Sequence, residues 1–322
     1  MSTLNGQLCA ITPPPLYEYP DRENPIEFGV QYIAYNIRPE SLESYKGEKP
    51  TERTYKGFQV VAEIPIKSDS NLLISYWHSH KTHPFEDASS VPDSFTTPPH
   101  FGPLPIVPNE SIAITRFHNS HLFQLRSLDV ALLSQLFEEN SRFSLKPRLG
   151  LRFCRLYQAI TNQFSIFYLE GPPIQEVHHF NSNEKILGLG PEVGCHMAFR
   201  PFPRSIFLDG FEFFTQIVLS QIFSQFILEN NFYIGSGHIA KTIVAQSTKT
   251  LTPFPVIDFS LGVSYDRELK LFDRRILGIS VNVAFISEIW IGAEKHFNGT
   301  FNAPGVRNIS LAGYTAGATL SF

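Results

Sequence analysis

The side chains of this sequence that could do chemistry are few, and they fall in short clusters. Trp77-His78-Ser79-His80, followed by His83, sets two imidazoles two residues apart. On a strand that spacing places both on one face, where they can ligate a metal ion. His178-His179 is a second histidine pair. The plainer reading of both is the outer end of a membrane strand, where Trp and His suit the headgroup region, and no metal site is expected. Ser79-His80 and Ser120-His121 each bring a hydroxyl beside a base, but hydrolysis also needs a group to orient that base. No Gly-x-Ser-x-Gly elbow and no phosphate-cradling glycine loop accompanies them. No catalytic residue and no cofactor are expected.

Charge offers a different chemistry. Lys146, Arg148 and Arg152 recur at even spacing, so a strand would point all three the same way. Along a water-filled path they would set the field that an ion feels, with Glu63, Glu192, Asp258 and Asp266 as further lining candidates. Equally, the acidic residues can pair with the basic ones and brace the wall.

The elements that hold these residues follow from composition and alternation. The 322 residues are 13% aromatic, with 29 Phe, and only 17% charged, which is low for an ordinary soluble domain. No run of 18 apolar residues exists, so a membrane could be crossed only by strands. The net charge of −4, without a Lys/Arg cluster, argues against nucleic acid. Cys9, Cys154 and Cys195 show no metal-ligand spacing and are too few for a disulfide scaffold. The first ten residues lack the basic and apolar regions of a secretory signal, so an export signal is expected before Met1.

Alternation is clearest in the last third. Ile257, Phe259, Leu261, Val263 and Tyr265 interleave with Asp258, Ser260, Gly262, Ser264 and Asp266. Leu277, Ile279, Val281, Val283 and Phe285 repeat the pattern, and Tyr314, Ala316, Ala318, Leu320 and Phe322 alternate with Gly and Thr to the C-terminus. One face would meet lipid and the other water. Segments at 28–32, 58–64, 71–80, 121–132, 145–153, 187–197 and 206–220 bring the count to ten. Pro147 and Pro191 must then sit at strand ends, bulges or unpaired positions. Ile234–Ala245 could raise the count to twelve, and the apolar spacing of 213–227 suits a helix as well as a strand. Six prolines within 91–108 mark a loop.

Ser144-Leu-Lys-Pro-Arg-Leu-Gly-Leu-Arg-Phe153, Ser182-Asn-Glu-Lys-Ile-Leu-Gly-Leu-Gly-Pro-Glu-Val-Gly194, Ser287-Glu-Ile-Trp-Ile-Gly292 and the closing strand to Phe322 resemble the Legionella-type major outer membrane proteins, a pore-forming family also found in chlamydia-like bacteria. The resemblance covers the chain from about Glu27 onward. It implies an outer-membrane location, a porin-like role and a terminal Phe322 read by the barrel-assembly machinery, and it brings no catalytic residues.

The sequence therefore predicts an all-β, closed antiparallel transmembrane barrel of 10–12 strands over 26–322, after an N-terminal segment 1–25. Long external loops are expected at 81–118, 159–182, 221–254 and 292–307, and Tyr314, Ala316, Ala318 and Leu320 should face lipid. The expected function is passive diffusion of small hydrophilic solutes through the bacterial outer membrane. The rivals are a non-conducting structural or adhesive surface barrel, an outer-membrane lipid hydrolase and a soluble β-sandwich. Expected partners are outer-membrane lipid and lipopolysaccharide, the assembly machinery and, as one open arrangement, further copies of the chain.

Overall fold

A period-two pattern needs backbone partners on both sides of every strand, and in lipid only a ring supplies them. The computed structural model has that ring. It describes residues 25–39, 54–67, 69–87, 112–136, 142–168, 175–202, 208, 210–236, 239–271, 275–297 and 304–322. Ten strands follow in chain order: β1 (Glu27–Pro39), β2 (Thr54–Lys67), β3 (Ser70–Asp87), β4 (Ile112–Ser134), β5 (Phe143–Tyr168), β6 (Gln175–Phe199), β7 (Phe211–Ser236), β8 (Ile239–Leu271), β9 (Arg275–Phe297) and β10 (Pro304–Ser321). Each pairs antiparallel with its sequence neighbours, and β1 closes onto β10 with Val30 opposite Ala318. The last residue joins the closure, since the Phe322 N–H donates to the Ile26 carbonyl at 3.0 Å.

Alternation sorts the faces. On β5, Leu149 is 64% exposed while neighbouring Arg148 is 5% exposed. Phe28, Val30, Leu151, Phe153, Leu189, Val193, Leu261, Val281 and Val283 face outward in the same way. Tyr314, Ala316, Ala318 and Leu320 are exposed on β10, with Thr315 buried between them. Arg at Ala316 is therefore expected to cost about 2–4 kcal/mol of barrel stability in a bilayer. Arg at Thr319, which lines the interior, should cost less, and equal refolding midpoints in urea for the two variants would contradict this facing.

The prolines sit where a ladder can spare a donor. Pro147 lies just past the β4–β5 ladder, which runs to the Leu133–Arg148 pair. Pro191 falls in a break of the β6–β7 ladder between the Leu189–Phe223 and Glu192–Ser220 pairs. At that break the backbones press together: a Cβ on Gly190 would stand 1.8 Å from the Gln221 carbonyl oxygen. A bulge on β9 uses another glycine, because Gly292 has φ 73° and its N–H donates to Asn308 Oδ1 at 2.9 Å.

Several boundaries differ from the sequence reading. Residues 221–254 are mostly two paired strands, the outer parts of β7 and β8, and Ile234–Ala245 spans the connection between them rather than adding strands. The region 159–182 likewise holds the outer parts of β5 and β6. Strand also enters 81–118, up to Asp87 and from Ile112, and 292–307, up to Phe297 and from Pro304. The cause is physical: a wall that rises above the membrane has water on its outside, so its sequence stops alternating while its ladder continues. Residues 213–227 form strand, not helix. Residues 1–24, Cys9 among them, and the proline-rich stretch 91–108 lie outside the described residues.

β8 outruns its partner. Its ladder with β9 begins at the Val256–Trp290 pair, whereas its ladder with β7 continues outward to Ile239. Among the described residues, 239–255 thus pair with β7 but not with β9, and Pro253 and Pro255 stay in register with β7.

Candidate functional site

The interior is built in three layers. The first is a cavity of about 780 Å³ at the end where β1 begins and β10 ends, which also carries the short turns. In an outer-membrane barrel that end is periplasmic. Its wall includes Glu27, Glu63, Lys146, Arg200, Glu212 and Asp266. Lys146 Nζ lies 3.5 Å from Glu63 Oε1, which also accepts from Asn71 Nδ2 at 2.5 Å. At the mouth, Arg200 Nε donates to Glu212 Oε2 at 3.0 Å.

The second layer is ionic. Arg148 and Arg152 extend from the inner face of β5 toward carboxylates on four other strands. Arg148 donates to Glu192 Oε1 from Nη2 at 2.6 Å and from Nε at 2.8 Å, and from Nη2 to Asp129 Oδ2 at 3.1 Å. Arg152 grips Asp129 with both prongs of its guanidinium, Nε to Oδ1 at 2.9 Å and Nη2 to Oδ2 at 3.1 Å. It also pairs with Asp258, and its Nη1 stands 3.7 Å from Glu288 Oε1. Both arginines, Asp129, Glu192 and Glu288 are buried. Two-pronged, charge-assisted bonds of this kind fix geometry as well as add energy.

The third layer is apolar. Ile33, Tyr35, Tyr55, Phe123, Leu125, Cys154, Leu156, Ile186, Ile222, Phe226, Leu228, Phe254, Val256, Trp290, Ala293, Ile309 and Leu311 form one buried cluster on the external side of the arginines. Tyr35 and Tyr55 stack at 5.9 Å, Trp77 meets Tyr35 edge-on at 5.8 Å, and Phe254 stacks on Trp290 at 5.6 Å. Tyr35 Oη donates to Ser79, which donates to the Lys56 carbonyl at 3.2 Å. Rings from β1, β2, β3, β4, β8 and β9 thus meet inside the barrel.

All seven lining candidates, Lys146, Arg148, Arg152, Glu63, Glu192, Asp258 and Asp266, are brought together in the first two layers. Sequence reading missed Asp129 and Glu288. The signal for Asp129 was present, since Leu128, Val130 and Leu132 interleave with it on β4. The histidine cluster divides: Trp77 turns inward against Tyr35, whereas His78 faces outward against Phe58 at 5.4 Å. The headgroup placement expected for Trp77 is therefore corrected. Ser79 is wholly buried and His80 exposed, on opposite faces of β3. Among the described residues no three His, Cys, Asp or Glu side chains are grouped to hold a metal ion. The side chains of His83, Ser120, His121 and His178 lie outside the described residues.

A closed antiparallel barrel with an apolar exterior and a charged interior has the architecture of a bacterial outer-membrane β-barrel, and the chain is of that class. No protein-family model matches the sequence, and no curated protein matches it. Among solved structures it is similar to the outer membrane protease OmpT of Escherichia coli, at 10% identity over 93% of this chain and 94% of that one, with a TM-score of 0.37. It is also similar to a major outer membrane protein of Thermus thermophilus (12%, 92% and 99%, TM-score 0.32) and to Ail of Yersinia pestis (9%, 94% and 100%, TM-score 0.29). These likenesses are of fold alone.

Proposed function

We propose that the chain is a non-conducting surface barrel, which holds a strand-built wall above the outer membrane and lets no solute through. The observation that carries this reading is the apolar layer. Passive diffusion of hydrophilic solutes needs a continuous wet path, and the side chains of the third layer are buried among themselves across the interior. Arg148 and Arg152, the lining candidates at this depth, are engaged by buried carboxylates. The strand lengths favour a role above the membrane. β7 runs for 26 residues and β8 for 33, whereas a tilted strand crosses the bilayer in about 9–11.

The resemblance to the Legionella-type family favours the pore instead, and conductance separates the two. Purified, folded protein in planar bilayers should give no step conductance in 1 M salt. Regular ohmic steps would overturn the proposal. No hydrolytic role is proposed, because Ser79 and His80 point to opposite sides of the wall.

A further inference from the structure

On the outer face of β4, β5 and β6 the apolar belt ends in cations. Moving outward from the short-turn end, β4 presents Leu132, Val130 and Leu128, then Arg126; β5 presents Phe143, Leu149, Leu151 and Phe153, then Arg155; β6 presents Phe199, Val193, Leu189 and Leu187, then Lys185. From Phe143 to Phe153 the belt matches the roughly 9–11 residues that a tilted strand needs to cross the bilayer. The three cations therefore stand at the level where acyl chains give way to headgroups, at the outer leaflet.

Their pairing is unusual. Arg126 and Arg155 are direct cross-strand partners, and His78 lies opposite Arg126 on its other side. Like charges directly opposite each other destabilise a sheet. Arg155 pairs with Leu187, so Lys185, two residues further on, is its diagonal neighbour, about 7–8 Å away and within reach of long side chains. Among the described residues none of the three cations is in an ion pair, and the buried Arg126 Nε has no hydrogen-bond partner. The acidic residue on this face is Glu229, opposite Asn183 on β7 and thus diagonal to Lys185 rather than beside the arginines. The repulsion and the unused donors would both be relieved by an anion held between the two guanidinium groups.

We propose that Arg126, Arg155 and Lys185 form a binding site for the phosphate of a phosphorylated glycolipid in the outer leaflet. A phosphate monoester carries about −1.5 to −2 charges at pH 7, which answers two guanidinium groups better than the single charge of a phosphodiester. Guanidinium also matches phosphate oxygens two at a time. Phe153, Leu128 and Leu187, directly beneath, would meet the acyl chains. The site is independent of whether the lumen conducts.

The full-length barrel, in phosphatidylcholine nanodiscs doped with bisphosphorylated lipid A or with the same lipid dephosphorylated, provides the test. Retained lipid is read by native mass spectrometry. The wild type should retain the phosphorylated form at least about tenfold over the other, the preference worth about 1.4 kcal/mol. R126Q/R155Q/K185Q should lose that preference, and Lys249→Gln, on the exposed outer part of β8, should keep it. Arg155→Gln alone should lose most of it and serves if the triple variant does not fold. Equal retention of both lipids, an unchanged preference in folded Arg155→Gln, or displacement of the lipid by millimolar inorganic phosphate would each overturn the proposal.

Discussion

Replacing Arg152 with Leu should lower the stability of the folded barrel by about 3–5 kcal/mol, the usual cost of removing one partner from a buried ion pair. The variant leaves Asp129, Asp258 and Glu288 facing one another around an apolar side chain at the inner end of the cavity, with Asp129 and Glu288 buried and Asp258 partly exposed. Urea-dependent refolding into lipid vesicles, followed by the heat-dependent shift in gel mobility, reads the change. Adding Glu288→Gln and Asp258→Asn should recover a substantial part, because those changes remove the charges left without a counterpart. Charge reversal, R148E/R152E, places six carboxylates in one layer and should abolish folding. Wild-type midpoints for Arg152→Leu would show that the cluster is solvated and that its bonds add little.

Emptying the apolar layer should open the barrel. Truncating a large buried aromatic costs about 3–5 kcal/mol, so Trp290→Ala alone and the Y35A/Y55A pair are the practical variants. Both remove rings from the middle of the cluster. Step conductances, which the proposal expects to be absent from the parent, should appear. Cys154 gives a second readout, since it is 3% exposed within the same cluster. In a background with Cys9→Ser and Cys195→Ser, a charged maleimide should leave the parent unlabelled and label the truncated forms. If folded variants stay electrically silent and unlabelled, some other part of the chain closes the lumen.

The barrel class was legible because Leu149, Leu151 and Phe153 alternate with Arg148, Gly150 and Arg152, and lipid on one side keeps that pattern clean. It was least legible on β7. There Phe213, Ile217, Leu219 and Phe223 face lipid while Val218 is buried inside and Ile222, Phe226 and Leu228 enter the apolar layer. With apolar surroundings on both faces the period of two vanishes, and what remains imitates a helix. The same filling hid the apolar layer, because an inward Tyr35 or Trp290 carries no mark in sequence to distinguish it from an outward aromatic. The arginines could be placed on the inner face, but whether they met solute or carboxylate depended on strands far apart in the chain. Asp129 and Glu288 are brought to Arg152 by β4 and β9, and no spacing within β5 encodes that meeting.

The part of β8 that extends beyond its β9 ladder has a bearing on how copies behave when crowded. An unbroken ladder admits a proline only where its nitrogen faces away from the partner strand, so Pro253 and Pro255, both in register with β7, turn their donor-less positions to the side away from β7. A strand from a neighbouring molecule would find carbonyls there but too few N–H groups to zip against. The wall can rise well past its β9 neighbour and still be a poor seed for sheet growth, so copies could be packed densely on a cell surface without polymerising through this edge.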